Sequence, residues 1–154
     1  MKKNLTLTGM MGVGKSTIGK IVSKTLLMEF VDIDNLIEKK LNSSVKKIFE
    51  TKGEVFFRKL EEKITLEEVE KKNKIISLGG GAFMNNKIRE YVLKNSKSFW
   101  LNYSTDLLSK RLLNSKKRPL LKNKNIKSTL EKIYSERKST YSLANYRIDC
   151  NNLT

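Results

Sequence analysis

Gly9-Met10-Met11-Gly12-Val13-Gly14-Lys15-Ser16 is the stretch from which the rest of the chain can be read. It fits G-x-x-x-x-G-K-[ST], a phosphate-binding loop, provided that a buried strand enters it and a helix leaves it. Asn4 to Thr8 is a β-prone run with Leu5 and Leu7 on one face. From Thr17 to Leu27, Ile18, Ile21, Val22, Thr25 and Leu26 recur at helical spacing, so both flanks meet the condition. The residue types suit the chemistry. Glycines let the backbone close around a phosphate with no Cβ in the way. The amides of Gly12, Val13 and Gly14 and the first turn of the helix, through Thr17, then face the anion, where the helix dipole favours negative charge. Lys15 adds a cation for the β- and γ-phosphates of a nucleotide such as ATP, and Ser16 a hydroxyl for Mg²⁺.

At 154 residues the chain is expected to form a single domain, 1–154, with a core of its own. It has one cysteine, Cys150, and no histidine, which excludes an intrachain disulfide, Cys-based metal sites and histidine catalysis. No apolar run approaches the roughly 18 residues of a membrane span, and the lysines after Met1 are not followed by a signal-peptide core. The expected location is cytoplasmic, with no membrane partner. The net charge of +16 could signal nucleic-acid binding. However, 26 of the 32 basic residues are lysines spread along the chain, with no clustered arginine between aromatics. We read them as a solvated surface that also draws in anionic substrates, and expect no nucleic-acid partner.

Beyond the first helix, Phe30, Val31 and Ile33 mark a short strand with Asp32 and Asp34 at its C-terminal end, where open α/β sheets bind ligands. Beside a phosphate-binding loop, one carboxylate can hold Mg²⁺ through water while the other accepts from a substrate hydroxyl. Alternatively, Asp34 merely caps the helix from Asn35 to Leu41. A short helix follows from Val45 to Glu50, then an interruption at Gly53. A long helix from Glu54 to Lys72 is expected to turn Val55, Phe56, Leu60, Ile64 and Val69 inward. Arg58, in its first turn, is one of only six arginines. It either offers a planar fork to a carboxylate or phosphate, or pairs with Glu61 or Glu62 on its own helix. Lys74 to Leu78 reads as a buried strand, ending in Gly79-Gly80-Gly81, which is open to close approach by a ligand. That strand lacks a terminal aspartate, so any metal-side carboxylate falls to Asp32.

Taken in order, Gly-x-x-Gly-x-Gly-Lys-Ser-Thr, Phe-x-Asp-x-Asp, Gly-Glu-x-x-Phe-Arg-x-x-Glu (Gly53 to Glu61) and Gly-Gly-Gly resemble the shikimate kinase family. The resemblance continues through the chain. Helices are expected over 86–93, 106–113 and 126–139, and strands over 98–101 and 146–149. Arg111, the run Lys116-Lys117-Arg118-Pro119-Leu120-Leu121 and the pair Arg137 and Tyr141 match family motifs.

The resemblance implies an α/β fold of P-loop NTPase type, a three-layer arrangement with a five-stranded parallel sheet in the order 2-3-1-4-5 flanked by helices. It implies a monomeric enzyme that transfers the γ-phosphoryl of ATP to the 3-hydroxyl of shikimate. Shikimate would lie by helices within about 34–60, under a lid at about 114–125. Lys15, Asp34 and Arg118 would be catalytic, and Arg111 and Arg118 would lie over the nucleotide. Asp34, Arg58, Gly79, Gly80, Gly81 and Arg137 would hold shikimate, and Ser16 and Asp32 would hold Mg²⁺. Val45, Phe49, Phe57 and Leu120 would form apolar walls. Gluconate or nucleoside monophosphate kinases, or a basic nucleic-acid-binding ATPase, are the alternatives. The aspartate pair, Phe57-Arg58 and the triple glycine argue against them.

Overall fold

Asn4–Thr8 forms the central strand, β1, of a parallel sheet in the computed structural model, which describes residues 2–114 and 125–152. It pairs with β3 (Lys74–Ser77) on one side and β4 (Ser96–Asn102) on the other. The edge strands are β2 (Glu29–Asp32), beside β3, and β5 (Tyr146–Asp149), beside β4. Every pairing is parallel, so the order is 2-3-1-4-5, as expected. A parallel sheet needs cover on both faces, and its inner strands are largely buried, polar residues such as Asn4, Thr6, Ser96 and Ser98 included. Ile75 and Ile76 of β3 are fully buried, whereas β5 is exposed along its length.

The connections are α1 (Lys15–Leu26), α2 (Ile33–Leu41), α3 (Val45–Glu70), α4 (Asn86–Asn95), α5 (Thr105–Leu113) and α6 (Ile126–Tyr141), with a 3₁₀ turn at Ala82–Met84. Five of the helices open on a side chain that accepts from a first-turn amide: Asp32, Ser44, Asn85, Ser104 and Asn125. The aspartate that caps α2 is therefore Asp32, not Asp34, and Ile33 begins that helix instead of ending β2. No described helix is long and apolar enough to cross a membrane.

Two expectations about the core fail. Ile21 points to solvent from α1, at 61% exposure. Val55 and Phe56 are exposed as well, and Phe57 is buried in their place. Gly53 (φ 83°, ψ 168°) breaks the helical path inside α3 and resets its phase. Past it, the inward face runs through Phe57, Glu61, Ile64, Thr65, Glu68 and Val69. Two of those are glutamates, so a reading by apolarity alone selects the wrong stripe.

Both buried glutamates have cationic partners. At the N-terminal edge of the sheet, Lys74 Nζ donates to Glu68 (2.8 Å) and to Glu29 (3.1 Å). Asn4 completes this corner, donating to the Val69 carbonyl and accepting from the Lys74 amide. Burial opposes both charges. It is outweighed by the hydrogen bonds of Lys71 and Lys74 to Glu68, which lower its pKa, and by those of Glu68 and Glu29 to Lys74, which raise its own. A lowered carboxylate contributes stability above its unfolded pKa and loses it as pH falls through the folded value. A raised lysine contributes below its unfolded pKa and loses it as pH rises through the folded value. The pair thus stabilises in full between the ordinary values of 4.5 and 10.5. Glu68→Ala is expected to cost about 2–3 kcal/mol in urea unfolding at pH 7. The deficit should shrink as pH falls below 4. A deficit equal at pH 3 and pH 7 would refute the electrostatic origin.

The two largest fully buried side chains meet at β4. Trp100 stacks on Tyr141 at the end of α6 (centroids 5.9 Å apart), and the Arg147 guanidinium lies 5.1 Å from the Trp100 ring centroid. The Trp100 Nε1 is buried without a hydrogen-bond partner among the described residues.

Candidate active site

The C-terminal ends of the strands carry the site. Between β1 and α1 the chain turns through Gly9, Gly12 and Gly14, all at positive φ, and Gly14 is the N-cap of α1. Lys15 is buried, and its Nζ curls back over the loop to donate to the carbonyls of Gly9 (2.7 Å) and Met10 (3.0 Å). Ser16 donates its hydroxyl to one carboxylate oxygen of Asp32, and the other accepts from the Asn35 amide at 3.1 Å. A cavity of about 600 Å³ opens above these groups, and Gly12, Gly14, Lys15, Ser16, Thr17 and Asp32 line it. The Val13 side chain is in the core, so it can offer a ligand only its backbone.

Across the cavity stand Asp34, Gly80 and Arg111. Each glycine after β3 meets a charged side chain, and at Gly79 and Gly81 the approach leaves no room for a Cβ. A Cβ on Gly79 would lie 2.8 Å from Glu61 Oε2 and 2.9 Å from Asp34 Oδ1. On Gly81 it would lie 2.7 Å from Arg58 Nη2, and on Gly80 3.5 Å from Arg137 Nη1. The triple glycine is therefore the floor against which two carboxylates and two guanidinium groups close in.

Arg58 spreads its fork. Nη1 donates to Glu61 (2.9 Å), Nε donates to Glu54 (3.4 Å), and Nη2 faces Gly81. Its carbon centre also lies 5.9 Å from the Phe49 ring and 5.4 Å from the Phe57 ring, which are tilted against each other 4.6 Å apart. Both readings of Arg58 thus hold together: it pairs with Glu61 and still addresses the glycine floor. Glu62 is engaged elsewhere, with Asn85 and Lys87. Burial lowers the Arg58 pKa, but Glu61 and Glu54 outweigh this and raise it, so the guanidinium stays charged.

Glu61 is the site residue that sequence reading left unassigned. It is 1% exposed, and burial, reinforced by Asp34, pushes its pKa up against the opposing pull of Arg58 and Arg137. The signal available beforehand was its spacing from Arg58, which equally describes a surface ion pair.

Arg111 reaches back over the phosphate-binding loop, its two terminal nitrogens 3.8 Å from where a Cβ on Gly14 would be, and Leu112 covers Gly12. Arg118 and Leu120, like most of the expected lid, lie outside the described residues.

A phosphate-binding loop shares one cavity with Asp34, Gly80 and Arg111, and Arg58 and Arg137 close on the glycines that adjoin it. The family model for shikimate kinase matches residues 11–154. The chain belongs to the shikimate kinase family. Among its relatives, the shikimate kinase of Sulfurihydrogenibium sp. (strain YO3AOP1) is 43% identical over 99% of this chain and 90% of its own length. The crystal structure of shikimate kinase from Bacteroides thetaiotaomicron superposes with a TM-score of 0.93 at 33% identity, covering 98% of this chain and 88% of that one. Shikimate kinase from Acinetobacter baumannii, solved in complex with shikimate, gives 0.92 at 33% identity, covering 99% and 86%. Membership of the shikimate kinase family makes the chain an ATP-dependent kinase.

Proposed function

We propose that this cavity transfers the γ-phosphoryl of ATP to the 3-hydroxyl of shikimate, giving shikimate 3-phosphate and ADP. The carrying observation is the meeting of Asp34, Arg58 and Arg137 around Gly79–Gly81, opposite Lys15. A polyhydroxy acid needs both kinds of group: arginine forks for its carboxylate and a carboxylate for its hydroxyls.

Lys15 and the loop amides hold the β- and γ-phosphates. Asp34 orients the ring hydroxyls and takes the 3-hydroxyl proton as that oxygen bonds to the γ-phosphorus and ADP leaves. Arg58 and Arg137 clamp the substrate carboxylate, and Glu61 fixes the Arg58 fork. Glu61 and Asp34 face each other's charge across Gly79, and the arginines offset it. Arg111 lies over the nucleotide, and the charge of Arg118 acts on the transferring phosphoryl group. Ser16 and Asp32 present adjoining hard oxygens beside Lys15, a donor set that fits Mg²⁺. When bound, the ion neutralises phosphate charge. Positioning and charge stabilisation carry the catalysis.

The deciding assay is ADP release from Mg·ATP with millimolar shikimate, against gluconate and AMP. Turnover with shikimate alone among the three is expected. Turnover with gluconate or AMP instead, or ATP hydrolysis stimulated only by RNA, would overturn the reading. Arg118→Ala is expected to lower kcat by about a hundredfold with little change in the shikimate KM, as for loss of a charge that acts on the transferring phosphoryl group. A raised shikimate KM at unchanged kcat would reject the lid role.

A further inference from the structure

Tyr141 is fully buried at the last position of α6, and the catalytic scheme leaves it without a task. Its hydroxyl donates to the Gly80 carbonyl at 2.6 Å. Its ring is stacked on Trp100, which blocks rotation. Arg137, one turn earlier on the same helix, sets its positive charge close enough to act on the Tyr141 hydroxyl, and its Nη1 also approaches Gly80, 3.5 Å from where a Cβ would be.

A trans peptide points its C=O and the following N–H in opposite directions. Anchoring the Gly80 carbonyl on α6 therefore turns the Gly81 N–H away from α6. The Arg137 guanidinium meets the same glycine that the phenol anchors. Burial pushes the Tyr141 hydroxyl above its ordinary pKa although Arg137 pulls the other way, so it remains a donor at neutral pH. We propose that Tyr141 is a positioning residue for the acid-binding half of the site. Its hydroxyl fixes the Gly80–Gly81 peptide and the Arg137 fork in place before the substrate carboxylate arrives. This rests on the shikimate reading above for its substrate, but not for the tie itself.

Preorganised donors gain affinity because they need no ordering when the ligand binds. Tyr141→Phe keeps the ring and the stack and removes only the hydroxyl. It is expected to raise the shikimate KM about tenfold, as befits loss of one buried hydrogen bond and the looser donors it leaves, with the ATP KM changed less than about twofold. Leu130→Val, buried on the same helix, is the control for plain destabilisation. It is expected to lower the unfolding temperature and leave the shikimate KM alone. In an Arg137→Lys background the Tyr141→Phe effect should shrink, since the two groups act as one unit.

Amide exchange on the unliganded protein tests the tie without any substrate. The amides of Ala82 and Met84 donate to the carbonyls of Gly79 and Gly81. They should exchange about fivefold or more faster in Tyr141→Phe, and at the wild-type rate in Leu130→Val. Unchanged exchange in Tyr141→Phe, equal rises in both KM values, or full additivity with Arg137→Lys would each overturn the proposal. A wild-type protein that ignores shikimate would sink the substrate assignment alone, and the exchange comparison would still decide the role of Tyr141.

Discussion

Lys15→Met is expected to cut kcat/KM by about a hundredfold to a thousandfold, roughly 3–4 kcal/mol of transition-state stabilisation. Methionine matches the length and burial of the lysine stem, so the fold should tolerate it. What disappears is a cation already held over the loop: Nζ is buried and fixed by the carbonyls of Gly9 and Met10 before any phosphate arrives. A charge set in advance needs no reorganisation as negative charge moves toward the leaving phosphate, so its loss falls on the chemical step. The measurement is steady-state kinetics beside a thermal unfolding curve. Turnover within tenfold of wild type at unchanged stability would reject the phosphate-binding role of Lys15.

The second large effect is expected from Arg58→Lys, a substitution that keeps the charge. The shikimate KM should rise by about ten- to a hundredfold, while the ATP KM stays near wild type. The guanidinium uses three nitrogens in three directions, toward Glu54, Glu61 and Gly81. A lysine ammonium is a single point, and the buried Glu61 carboxylate would capture it, leaving the glycine floor without a donor. A rise in the ATP KM instead would move Arg58 to the nucleotide side.

Much of this was legible in the chain itself. The phosphate-binding loop and three of the four charged residues around Gly79–Gly81, namely Asp34, Arg58 and Arg137, sit in local patterns of a few residues at set spacing, and the family resemblance implied the strand order. Phase and pairing were not legible. The kink at Gly53 moves the buried stripe of α3 from Phe56 to Phe57, and that stripe includes glutamates which only their distant or folded-back partners make tolerable. Asp32 and Asp34 could not be told apart as helix cap and cavity carboxylate, because two residues of one strand end are equivalent until the helix start is known. Tyr141 is adjacent to Gly80 only through the whole sheet, with sixty residues between them.

Trp100 is the only tryptophan in the chain. It lies under Arg147 on one side and against the ring whose hydroxyl grips Gly80 on the other, with its indole nitrogen out of water. An indole in such surroundings should fluoresce at short wavelength and shift to the red when the packing of β4 against α6 loosens. The protein thus carries a built-in optical probe two residues' contact away from its own acid-binding loop. Ligand titrations and unfolding can be followed at that one position without adding a label.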